Sequence, residues 1–125
     1  ADEDKIYQKA EIMPEFPGGM KSMQKFFINN MKYPKIAQKA NVSGTVFIGF
    51  IVNKSGQIKD AKLVGSKINN PKKNKEAEEA LIKEGMRVIH MMPDWKPGFN
   101  DGKAVKVEMA LPVRFTLADN KEMKK

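Results

Sequence analysis

The stretch MPDWKPGFNDGKAVKVEMALPVRF, Met92 to Phe115, decides how this chain folds. Its second half alternates without a slip. Val105, Val107, Met109, Leu111, Val113, Phe115 and, just beyond, Leu117 fall on one face; Lys106, Glu108, Ala110, Pro112, Arg114 and Thr116 fall on the other. Period 2 marks a β-strand with one apolar face, and Ala104–Leu117 exceeds the usual length of about five or six residues. Pro112 keeps the pattern but removes a backbone donor that a central strand would need, so the strand is expected at a sheet edge. The first half of the stretch carries the chain from a helix into this strand. Trp95 stands between Pro93 and Pro97, ahead of Gly98. It is expected to pack beneath the crossing, because the prolines hold it rigidly and its ring covers a large area.

Upstream, Glu76–Met92 has helical period. Leu81, Val88 and Met92 make a stripe that Ile82 and Ile89 widen, and the glutamates gather in its first half, where the dipole favours them. Glu76, Glu78, Glu79 and Glu84 read as a solvated face paired with lysines. Gly85 costs about 1 kcal/mol against alanine mid-helix, which points to close packing there. Before this helix lies a polar loop, Lys67–Lys75. Before the loop lie two strands: TVFIGFIV (Thr45–Val52), apolar on both faces, and QIKDAKLVGS, more polar and expected to be shorter, joined at Asn53–Gly56 where Gly56 suits a positive φ. PEFPGG (Pro14–Gly19) is a rigid turn. A helix bearing Met20, Met23, Phe27 and Met31 follows, and Pro34 pushes Tyr33 into an extended conformation before a short turn with Ile36, Ala37 and Ala40 inward. Residues 1–13 read as a polar lead-in, 14–117 as one domain and 118–125 as a polar tail. The order helix, strand, strand, helix, strand predicts an α+β two-layer sandwich: a three-stranded antiparallel sheet with two helices on one face.

Composition narrows the function. The 125 residues fit one domain, carry no cysteine and hold a net charge of +8. Disulfides, thiolate metal sites and cysteine nucleophiles are thereby excluded. The excess is lysine; the only arginines are Arg87 and Arg114. Scattered lysines without arginine forks argue against nucleic acid as partner. No apolar run could span a membrane, and ADEDKIYQKAEI lacks the pattern of a signal peptide. His90, the only histidine, suits the end of its helix, and no hydrolase, zinc or phosphate-loop motif is present. Gly18 and Gly19 open a helix but serve the turn. Asn41-Val42-Ser43 matches a glycosylation tripeptide that chance often produces. The nine methionines are expected mainly as core filling. No catalytic constellation, metal site or cofactor site is expected.

Four motifs occur in order: PEFPGG, YPKIA, SGTVFIGFIVNKSGQI and MPDWKPGFNDGKAVKVEMALPVRF. Together they resemble the C-terminal domain of TonB-type energy transducers, in particular the Bacteroidetes-like branch. The resemblance covers about Glu11 to Leu117. It implies a non-enzymatic periplasmic domain that binds the TonB box of an outer-membrane TonB-dependent transporter by adding it as a strand to its last strand. The partner-binding residues would then be Tyr33, Pro34, Lys106, Glu108, Ala110, Pro112 and Arg114, while Pro14, Phe16, Pro17, Gly18, Gly19, Trp95, Pro97 and Gly98 form the structural motifs. It further implies contact with inner-membrane motor proteins through an N-terminal anchor that these residues do not include, and it leaves a homodimer open. Domains of this kind also end membrane metallopeptidase-like sensors, so a sensory or scaffolding module is the alternative.

Overall fold

A computed structural model of the chain describes residues 5–69 and 74–117. The elements in chain order are β1 (Ile6–Tyr7), α1 (Met20–Asn30), α2 (Lys35–Lys39), β2 (Gly44–Val52), β3 (Ile58–Ile68), α3 (Lys75–His90), β4 (Gly98–Asn100) and β5 (Lys103–Phe115). The fold is α+β, as expected, but the described residues hold five strands and three helices in place of the expected three and two. The added strands are short, and the added helix, α2, is the expected turn after Pro34 continued for five residues. The expected tail 118–125 lies outside the described residues, as do positions 70–73 of the expected loop.

The sheet order is β1-β5-β2-β3, with β4 paired to the start of β5. β2 is central because it alone is apolar on both faces. Val46, Ile48, Phe50 and Val52 are buried, while Phe47 and Ile51 are half-buried on the opposite face. β5 runs antiparallel to β2, from Gly44 opposite Phe115 to Val52 opposite Val107. β3, expected to be the shorter strand of the hairpin, is instead the longer, at 11 residues against 9. Its pairing with β2 slips at two places, and Asp60 takes a φ of 53° beside one of them. Bulges absorb extra residues without ending a strand.

The helices cover one face of the sheet. α3 lies across β2 and β3 and buries Ala77, Leu81, Gly85, Val88 and Ile89. A methyl group on Gly85 would stand 2.9 Å from Ile48 Cδ1 and 3.0 Å from Val46 Cγ2, so the helix approaches the sheet closely at that residue. Glu84, read from sequence as a solvated side chain, is instead 9% exposed. It accepts hydrogen bonds from Arg87 and from the backbone N–H of Lys32 at 2.6 Å, while Arg87 also donates to the carbonyl of Asn30. This cluster ties α3 to the end of α1. α1 contributes Met23, Phe26 and Phe27 to the core margin, but Met20, expected on its inward stripe, is 69% exposed.

The lead-in also enters the fold. Ile6 and Tyr7 run parallel to β5 opposite Lys106 and Val107. Ile12 and Phe99 exchange backbone hydrogen bonds at 3.1 and 2.9 Å, and Glu15 and Lys96 do so at 3.0 and 2.8 Å.

Candidate functional site: the outer edge of the last strand

Proline 112 sets the phase of the edge. The N–H of Asn53 donates to the carbonyl of Gln57 at 3.0 Å, so odd-numbered residues of β2 face β3. Even-numbered residues of β2 then face β5. The constant register passes this phase to the odd residues of β5: Val107, Met109, Leu111, Val113 and Phe115 bond toward β2. Glu108, Ala110, Pro112 and Arg114 turn their backbone groups the other way. Proline's missing donor is therefore on the outside, where no ladder bond is lost.

The edge is shorter than the sequence indicated. The strand Ala104–Leu117 is expected at a sheet edge, but Lys103–Val105 pairs with β4 and Lys106–Val107 with β1. Among the described residues no strand lies outside Glu108–Phe115. Eight residues thus present an unpaired strand edge, a template for a further strand.

The side chains of Lys106, Glu108, Ala110, Pro112 and Arg114 share the face away from the helices, as the alternation required. The last four line up beside Ile51, Gly49, Phe47 and Thr45 of β2, while Lys106 stands opposite Ile6 of β1. Glu108 at one end and Arg114 at the other make no ion pair among the described residues. Tyr33 and Pro34 stand apart from this row. The ring of Tyr33 meets Phe115 edge-on at 5.6 Å on the helix side, and its hydroxyl donates to the carbonyl of Val42. Burial pushes the Tyr33 phenol up to about 12, because the enclosed site disfavours phenolate. Pro34 caps α2 with extended geometry.

The motif residues converge below the same edge. Pro14 and Phe16 are buried, and Phe16 meets Trp95 edge-on at 5.9 Å. Trp95 is 5% exposed and packs on Phe50 at 5.5 Å. Its backbone N–H donates to the carbonyl of Gly56 at 2.7 Å, and a side chain at Gly56 would collide with the Trp95 carbonyl. Gly56 has a φ of 87°, so both the turn and the close approach require glycine. Pro17 leads to Gly18 and Gly19, with φ of 87° and 85°, which turn the chain into α1. Pro97 leads to Gly98, packed against Val107 and the carbonyl of Ile12. Two motifs about eighty residues apart in sequence are thus one structural unit, joined by the Glu15–Lys96 and Ile12–Phe99 bridges.

Between this unit and β5 lies an apolar groove of about 310 Å³, lined by Met13, Met20, Met23, Trp95, Met109 and Leu111 among others. Sequence reading assigned most methionines to the core and did not find it. No period marks it, because its walls come from the lead-in, one turn of α1 and the strand.

Residues 29–117 match the family model described as the C-terminal domain of Gram-negative bacterial TonB proteins. The chain belongs to the TonB C-terminal family. The match takes in Tyr33, Pro34, Trp95 and all of β5. Two solution structures of the Helicobacter pylori TonB C-terminal domain, of different lengths, are similar to the chain. One has 22% identity and a TM-score of 0.48, covering 78% of this chain and 91% of that one. The other has 21% identity and a TM-score of 0.44, covering 77% and 79%. No curated protein matches. The TonB family is one of energy transducers, and no helix among the described residues is long and apolar enough to cross a membrane.

Proposed function

We propose that this TonB-like domain works in the periplasm as an adaptor. It captures the TonB box of an outer-membrane TonB-dependent transporter as an added strand on the outer edge of β5, and so couples inner-membrane energy to transport. The observation that carries the reading is the unpaired edge Glu108–Phe115, whose one proline removes a donor and leaves every outward carbonyl in place. Main-chain bonds supply affinity that tolerates variation in the captured segment, and each is worth only about 0.5–1.5 kcal/mol. Capture is then reversible, which suits a coupling that must release. Force would arrive from motor proteins through an anchor upstream of these residues.

Amide exchange with and without a TonB-box peptide tests this. The expected result is new protection at Glu108, Ala110 and Arg114. Protection confined to the β2–β3 hairpin or to the helices would refute strand addition.

A further inference from the structure

The outer edge of β5 is bounded by the chain's own lead-in. β1 runs parallel to β5, with Ile6 opposite Lys106 and Tyr7 opposite Val107. Lys106 is in phase with Glu108, Ala110 and Arg114, so its backbone groups also turn outward, and there they meet β1. The parallel direction aims the C-terminal end of β1 at Glu108, where the unpaired edge begins. The chain bends at Gln8 rather than continuing along the edge, and Gln8 lines one cavity with Glu108 and Ala110. Two paired residues make a weak contact by themselves. Ile6, Gln8 and Lys9 are exposed, and Tyr7 is half-buried. The firm attachment comes later in the chain. The N–H of Glu11 donates to Asn100 Oδ1 at 2.7 Å, the N–H of Asp101 donates to Glu11 Oε1 at 2.5 Å, and Ile12 pairs with Phe99.

We propose that β1 is a displaceable strap that competes with an added partner strand for the start of the β5 edge. The inference rests on strand addition at β5. A short segment pairs beyond Glu108 and leaves the strap in place. A longer one must peel Ile6 and Tyr7 away before it reaches Lys106, while the clamp at Glu11 and Ile12 keeps the rest of the lead-in attached. Capture of a long segment and release of the strap are thereby coupled, and the coupling is reciprocal. Whatever frees the strap tightens the hold on a long segment. A pull on the chain upstream of Ile6 does so, because β1 precedes the clamp and takes the load first.

The test uses the 125-residue chain and two peptides built on one TonB-box-like sequence. They have about five and about ten residues, both ordinary strand lengths. Ile6→Pro with Tyr7→Pro removes the strap's backbone donors. It should tighten the long peptide about five-fold, roughly the worth of one main-chain hydrogen bond, and leave the short one unchanged. The chain has no cysteine, so Ile6→Cys with Lys106→Cys places a single disulfide across a directly opposed pair. Neighbouring strands lie about 4.8 Å apart, within a disulfide's reach. Reduction of that bond should tighten the long peptide and leave the short one unchanged. Equal affinity of the long peptide for the oxidised and reduced forms, or for the proline variant and the unaltered chain, with Ala110 and Arg114 amides protected throughout, would overturn the strap and leave strand addition standing. Weaker binding to the proline variant would make the lead-in part of the site rather than its competitor, and would overturn the strap too. No protection of Ala110 and Arg114 by either peptide would overturn strand addition itself, and the strap with it.

Discussion

Trp95 is enclosed by Phe16, Phe50 and the backbone of Gly56, yet its Nε1 has no hydrogen-bond partner among the described residues. Its contribution is therefore packing. Trp95→Ala should cost about 3–5 kcal/mol and Trp95→Phe about half as much, because phenylalanine keeps the ring contacts and loses no hydrogen bond. Chemical melts of the two variants decide this; equal losses would mean that Nε1 matters after all. Tyr33 yields a pH prediction. Its phenol ionises near 10 when exposed and near 12 in the fold. Between those values the folded chain holds the proton that the unfolded chain has released, so stability falls as pH rises. It is fully present below pH 10. Tyr33→Phe should flatten this alkaline loss, measured as melting temperature against pH. Trp95 and Gly56 were legible in sequence because prolines and a loop glycine signal their own geometry. Glu84 was not: the glutamates and lysines before it on the helix suggest a solvated face, and the backbone N–H of Lys32, about fifty residues earlier, is what draws it inward.

At the scale of elements, β5 was the most legible. Its alternation named both faces, and Pro112 named the edge. The same reasoning predicts opposite outcomes for two neighbouring substitutions. Ala110→Pro removes an outward donor and should leave the melt almost unchanged. Met109→Pro removes an inward donor and strands a carbonyl of β2, and should cost about 1–3 kcal/mol. Similar losses in both variants would mean that the strand's phase is reversed. α3 was legible by period and by Gly85, whose position against Ile48 and Val46 explains why alanine is absent. β1 was not legible. Two residues hold no period, and their pairing depends on where the PEFPGG turn is clamped, some ten residues later. The length of β3 escaped for a related reason: bulges break the alternation that would have announced it.

For the molecule as a whole, the layer arrangement followed from the order of elements, while the extra pairings at the edge of β5 required the tertiary contacts of the lead-in. The charge of +8 belongs to this scale too. Lysines cover all segments, so they attract an acidic partner from a distance without marking where it binds. The backbone bonds that would hold an added strand are short-ranged and nearly indifferent to ions, whereas steering between exposed charges fades beyond about 8–10 Å at physiological salt. Raising ionic strength should therefore slow the association of an acidic, TonB-box-like peptide and leave its dissociation rate nearly constant. Stopped-flow rates over a salt series measure both. A dissociation rate that climbs steeply with salt would mean that lysine contacts, rather than the edge of β5, hold the complex together. Strand addition would then be reduced to a minor part of the binding.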